Sequence, residues 1–228
     1  MEMLRVSPCG DSALTLELGE CVSPAVHRRV KAMEQAIRRA DLPGVLELVP
    51  TYTTVCVHYD PCTVSYGALE AQLRQLTIAD EAASDEGRLV IIPVCYGGEY
   101  GPDLENVAKH AGLAPEEVVA RHTAPEYLVY MLGFLPGFAY LGGLDETIAC
   151  PRLDTPRTRI PAGSVGIAGM QTGIYPLSSP GGWQLIGRTP EKLFSLAENQ
   201  EQFLLRSGDR VRFQPISPEE FLEREARQ

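Results

Sequence analysis

The stretch from Tyr130 to Pro190 sets the limits on what this chain can fold into. It reads YMLGFLPGFAYLGGL and, further on, TPRTRIPAGSVGIAGMQTGIYPLSSPGGWQLIGRTP. Glycine and proline recur every few residues, which excludes long helices, because both are costly inside the helical ladder. Yet Phe, Tyr, Leu, Ile and Val fill the intervals, and a disordered Gly/Pro segment lacks such residues. Short strands joined by tight turns are what remains. Glycine supplies positive φ and close backbone approach there, and proline presets turns.

The residues before this stretch read differently. Leu4–Val6 and Ala13–Leu18 form a strand pair around a Pro-Cys-Gly-Asp turn, with Leu14, Leu16 and Leu18 on one face. Ser23-Pro24 opens a helix carrying Val26, Val30, Met33 and Ile37. Val45–Val49 and Thr53–Tyr59 make a second strand pair, and Ser65 caps a second helix with Leu69 and Leu73. This order predicts a small sheet with helices on one face, an α+β layer architecture. The acidic, aperiodic run ADEAASDEG marks a boundary, so the domains are expected at 1–86 and 87–228. Beyond it come a strand at Leu89–Val94, helices at Asp103–Ala111 and Pro115–His122, and a strand at Tyr127–Leu132. Further strands fall near Thr158–Ile160, Ser164–Ala168, Gly173–Tyr175, Gln184–Gly187 and Arg210–Gln214. Many short strands with turns between them predict a closed or nearly closed barrel. Ser217 and Glu220 predict a capped terminal helix.

Charge and cysteine usage narrow the function classes. The net charge is −10 with a pI near 4.9, and no basic stripe suits a nucleic acid or an anionic membrane. The N-terminus lacks the pattern of a signal peptide, and no apolar run approaches a membrane span. The 6 cysteines are scattered without a CxxC pair, which fits free thiols in a reducing cytosol.

Several side chains in the central stretch can carry chemistry. Arg157 and Arg159 flank one residue; on a strand they would share a face and grip one carboxylate or phosphate. Two separate surface ion pairs would leave the same pattern. Gly163, Gly166 and Gly169 recur every third residue without forming a nucleotide-binding motif, and bends of a curved barrel explain them equally. Gln171 can bond a ligand amide or close a turn. Ser178 and Ser179 lack a GxSxG elbow and read as turn or ligand-contacting residues. His122, of 4 histidines, is the one in the second half near the central stretch; it is either a base or a capping or core residue. Phe134, Phe138 and Tyr140 line a pocket or belong to the core.

GFLPGFAYLGGL, TPRTRIPAGSVGIAG, QTGIYPLSSPGGWQLIGRTP and the earlier IPVCYGGEYGPDL resemble the family of bacterial 5-oxoprolinase B subunits. That family also includes the sporulation-kinase inhibitor KipI and is labelled allophanate hydrolase subunit 1. The resemblance runs end to end, through GDSAL and VPTYTTVCVHYDP, with Ala139 where the family often has proline and Met170 where it often has glycine. It implies a small N-terminal α/β sandwich domain followed by a cyclophilin-like β-barrel. It also implies a cytoplasmic complex with the 5-oxoprolinase A and C subunits, the latter KipA-like, and ATP-dependent opening of 5-oxo-L-proline to L-glutamate. ATP with Mg is expected at the assembled complex, with no metal bound by this chain alone. On that reading Arg157 and Arg159 take the carboxylate or phosphate, and Gln171 with the backbone of Gly163–Gly169 orients the lactam. His122 relays a proton, and Phe134, Pro136, Gly163, Ser164, Gly166, Ser179 and Trp183 contact substrate. The alternative is a KipI-like regulator that binds and inhibits a sensor histidine kinase. Prolyl isomerase activity would rest on fold analogy alone.

Overall fold

The computed structural model describes residues 4–78, 87–197 and 200–227, and the chain divides into two compact units, Met1–Glu86 and Gly87–Gln228. The acidic run expected as a boundary lies, except for Gly87, outside the described residues.

In the first unit, strands β1 (Arg5–Pro8), β2 (Ala13–Glu17), β3 (Val45–Pro50) and β4 (Thr54–Tyr59) form an antiparallel sheet in the order β1-β2-β4-β3. The period-2 pattern works as expected. Leu14, Leu16, Val55 and Val57 point to one face and are buried with Val30, Met33 and Ile37 of α1 (Pro24–Ala40) and Leu69 and Leu73 of α2 (Tyr66–Gln75). Both helices start where a serine supplies the missing acceptor: Ser23 Oγ accepts from Val26 N–H, and Ser65 Oγ from Ala68 N–H.

In the second unit, seven strands close into a barrel among the described residues. They are β5 (Leu89–Tyr96), β6 (Tyr127–Leu132), β7 (Ala139–Gly142), β9 (Ser164–Ala168), β10 (Gln171–Ile174), β12 (Gln184–Arg188) and β15 (Arg210–Pro215), ordered β10-β7-β6-β15-β5-β12-β9. The β15–β5 pair is parallel, and the other pairs of the barrel are antiparallel. Val94, Val129, Val165, Ile167, Ile186 and Phe213 lie in its buried core, with Val107 of α3 (Leu104–Ala111) and Val118 of α4 (Pro115–Thr123) packed among them. Two ribbons stand apart from the barrel ladder: β8 (Arg157–Ile160) with β11 (Ser179–Gly181), and β13 (Phe194–Ala197) with β14 (Gln200–Phe203). Helix α5 (Pro218–Glu225) follows, with Ser217 Oγ accepting from Glu220 N–H as its cap.

The expected strands of the central stretch are present, and β7, β11 and the β13–β14 hairpin are additions to them. Ala139–Gly142 sits between glycines, and Ser179–Gly181 contains Pro180, so neither carries a strong strand signal. Proline is excluded from central strands and tolerated on an edge, which is where the two-stranded β8–β11 ribbon uses it.

Candidate functional site

The β8–β11 ribbon carries the two arginines, and its register decides what they can do. Ser179 pairs with Ile160 and Gly181 with Arg157. Two steps along β11 therefore face three along β8, an irregularity that rotates one strand relative to simple alternation. Arg157 turns inward, where its Nη2 donates to Asp103 Oδ1 at 2.8 Å. Arg159 stays exposed, and its Nε–H donates to Ser178 Oγ at 3.2 Å. The two guanidiniums thus do not form one twin grip, contrary to the expectation from their i, i+2 spacing.

Asp103 is the residue that sequence reasoning misses. Its position suggests the start of α3, yet its side chain makes no capping bond. Its carboxylate is buried: Oδ1 accepts from Arg157, Oδ2 accepts from Leu185 N–H at 2.7 Å, and its own N–H donates to Leu185 O at 2.8 Å. One acid thereby ties α3, barrel strand β12 and the ribbon together. Beside it, Asn106 Nδ2 donates to Gln184 Oε1, and Gln184 Nε2 donates to Pro151 O. No local signal marks these pairings, because the partners are far apart in the chain.

Under the ribbon is an aromatic cluster. Phe138 stands edge-on to Tyr140, Tyr175 and Trp183, with centroids 5.1, 5.5 and 5.7 Å away. Trp183, Ile160 and Leu185 are buried with them. Trp183 is therefore part of the packing beneath the ribbon, not a surface contact for substrate. Burial raises the pKa of the Tyr175 hydroxyl, an effect opposed by Arg152 and Arg157 nearby. A Cβ on Gly181 would lie 2.5 Å from Tyr175 Oη and 2.8 Å from Ile160 Cδ1, so any side chain there would have to displace these buried groups.

The glycine-rich backbone is also committed internally. Gly163 has φ +82, its N–H donates to Tyr175 O, and its carbonyl accepts from Thr189 N–H. Ser164 is buried at the start of β9, and Gly166 lies mid-strand between β10 and β12. Gly169, at φ +58, begins the short turn between β9 and β10, and its N–H donates to Cys150 O. These groups serve the barrel ladder, so they do not form the amide cradle expected for a lactam. Gln171 is half-buried at that turn, beside exposed Met170. Phe134 and Pro136 are in the loop before β7, Phe134 exposed and Pro136 likewise at the surface, and Ser179 is buried on β11.

His122 sits in the barrel interior. Thr172 Oγ1 spends its one proton on Gly166 O at 3.0 Å and so accepts from His122 Nε2–H at 2.8 Å. Nδ1 must then be the unprotonated nitrogen, accepting from Tyr96 Oη at 2.8 Å. The ring packs against Phe213 and Tyr127. Burial lowers its pKa to about 3. Fully buried, neutral and bonded at both nitrogens, His122 does not face the ribbon as a proton relay. Among the described residues, no three His, Cys, Asp or Glu side chains converge as a metal site.

What the ribbon offers is one outward guanidinium, Arg159, with a hydroxyl at its side, on a platform held by Asp103 and Arg157. That can receive an anion but cannot by itself complete a reaction. The family model described as carboxyltransferase domain, subdomain C and D, matches residues 4–205. The B subunit of 5-oxoprolinase from Bacillus subtilis (strain 168) is 47% identical over 230 residues, covering 95% of each chain. The chain belongs to the family of 5-oxoprolinase B subunits. The corresponding protein of Escherichia coli O157:H7 is 45% identical, covering 94% of this chain and 97% of that one. The solved structure of TTHA0988 superposes with a TM-score of 0.80 at 43% identity, over 90% of this chain and 40% of that chain. In this member of the 5-oxoprolinase family, no helix among the described residues is long and apolar enough to cross a membrane.

Proposed function

We propose that this chain is the B subunit of an ATP-dependent 5-oxoprolinase that opens 5-oxo-L-proline to L-glutamate. The observation that carries the reading is the 47% identity to the Bacillus subtilis protein across 95% of both chains. The ribbon supports it from the chemical side. It presents an anion-receiving group without a nucleophile, base and oxyanion donors of its own, as a site completed by other polypeptides would. The A subunit and the KipA-like C subunit supply the remainder, and the assembly works in the cytoplasm.

The lactam amide is resonance-stabilised, so direct attack by water is slow. Transfer of the ATP γ-phosphoryl group to the lactam oxygen, with ADP leaving, activates the ring carbon. Water adds there, the C–N bond breaks, and hydrolysis of the resulting acyl phosphate releases glutamate and phosphate. Cationic groups must offset phosphate charge during such a transfer. Arg159 is this chain's contribution to that charge, directed at the substrate carboxylate or the phosphoryl group, with Gln171 at the neighbouring turn contacting the lactam. ATP would enter with Mg at the assembled complex, the metal supplying positive charge against the phosphates.

The test is direct. The chain is purified with its A and C partner subunits, 5-oxoproline and ATP are added, and glutamate is measured. Glutamate release that requires all three chains and ATP supports the reading. An assembled complex that consumes no 5-oxoproline overturns it.

A further inference from the structure

Phe134 combines two unfavourable features. Its φ is +69, and Leu135 N–H donates to Gly133 O at 2.9 Å. Three residues thus close a tight turn with a bulky side chain in the left-handed region, which is rare and strained. Its ring is also 67% exposed and touches Phe138 edge-on, 5.7 Å between centroids. Gly137, three residues on, meets its own positive φ of 82 without a side chain. At the strained position the sequence holds an aromatic ring where glycine would be the relaxed choice.

The loop abuts the base of the β13–β14 hairpin. A Cβ on Gly137 would stand 2.9 Å from Phe194 Cβ and 3.2 Å from Leu193 O. In that hairpin Phe194 pairs with Phe203 and Leu196 with Glu201, and Leu196 is 69% exposed. A two-stranded ribbon outside a larger sheet has little independent stability in water. Strained backbone persists where its surroundings use it, and exposed aromatic anchors typically fill a pocket on a partner.

A strained turn holding an exposed ring beside an exposed apolar hairpin suits a partner surface, and a lactam of one five-membered ring is too small to reach both together. The TTHA0988 chain continues well beyond the match, of which this chain accounts for 40%, and the matching family model spans subdomains C and D only. We propose that Phe134 and the apolar side of the β13–β14 hairpin anchor one partner, the C subunit of the complex proposed above, taken as the counterpart of the rest of that longer chain, through an apolar socket that receives the Phe134 ring. The inference rests on reading this chain as one member of a complex and adds the surface it uses.

The test compares wild type, Phe134→Gly, Phe134→Tyr and Leu196→Ser in two measurements: thermal unfolding of the isolated chain, and its affinity for the purified C subunit, measured by titration calorimetry. Phe134→Gly is expected to raise Tm by a few degrees, because it relaxes the turn, while weakening association at least tenfold. Phe134→Tyr keeps the ring and should keep wild-type affinity, and Leu196→Ser should weaken association several-fold without lowering Tm. Association of Phe134→Gly within twofold of wild type overturns the inference, whatever its Tm. If the wild-type chain itself fails to bind the C subunit, while the three-chain mixture releases no glutamate, the functional reading falls and the inference with it. Wild-type turnover with an indifferent Phe134→Gly removes only the inference.

Discussion

Arg157 and Asp103 meet at 2.8 Å across 54 residues of sequence, and their contact holds the β8–β11 ribbon to the barrel. The Asp103 carboxylate is buried and also takes the Leu185 N–H. It therefore acts as a clamp with two jaws, one on a barrel strand and one on the ribbon.

Removing the clamp should cost stability. Asp103→Ala leaves Leu185 N–H without its acceptor and Arg157 without its counter-charge; a loss of about 2–4 kcal/mol is expected, given that Arg157 retains some access to water. Asp103→Asn keeps one acceptor oxygen and should cost less. Urea unfolding followed by the fluorescence of Trp183, the single tryptophan, reads this directly. Equal stability for Asp103→Ala and wild type would show that the ribbon is held elsewhere.

The two arginines should separate in their effects. Arg157→Met is expected to lower the unfolding midpoint because it strips the buried Asp103 of its partner. Arg159→Met should leave that midpoint within experimental error and reduce kcat/KM of the assembled enzyme by roughly 10- to 100-fold, the worth of one charge-assisted hydrogen bond to an anion. The reverse pattern, with Arg157→Met fully stable and Arg159→Met fully active, would contradict the assignment.

Acid should destabilise the barrel through His122. Its folded pKa of about 3 lies below the usual value of 6.5. Between these limits the unfolded chain binds the extra proton, so the contribution is complete above pH 6.5 and is lost as pH falls towards 3. About 2 kcal/mol of it should be gone by pH 5. His122→Gln should be less stable at pH 7.5 and show a flatter decline to pH 5. His27 in the first unit also has a lowered pKa, about 4, and is unchanged in His122→Gln, so the difference between the two chains isolates His122. A slope unchanged by the substitution would exclude His122 as its source.

Gly163 should tolerate no side chain. Its φ is +82, and a Cβ would stand 2.3 Å from Thr189 O. Gly163→Ala is expected to cost more than about 2 kcal/mol, since conformational strain and a clash with backbone add together. Gly169→Ala has the same sign of φ, at +58, but open space around it, so only the conformational part, about 1 kcal/mol, should appear. Soluble yield and thermal unfolding of the two variants rank them.

Much of the fold can be read from one chain because its signals are local. The alternation Leu14, Leu16 and Val55, Val57, and the serine caps at Ser23, Ser65 and Ser217, act within a few residues. The candidate site is less legible. The spacing of Arg157 and Arg159 predicts a shared face, and the irregular pairing with β11 cancels it. The glycines around Gly163 look available for a ligand until the ladder that uses their amides is present. His122 looks like a base until Tyr96, Tyr127, Thr172 and Phe213, from four barrel strands, surround it.

Sequence by itself thus determined the element types, the barrel-forming character of the Gly/Pro stretch and, through long motifs, the family. Tertiary structure alone decided which polar groups are spent and which are free. Asp103 with Arg157, and His122 with Thr172 and Tyr96, are pairings between residues far apart in the chain. Closing a barrel brings such groups within hydrogen-bonding distance and removes the water that would otherwise keep them independent, and neither effect has a local signature.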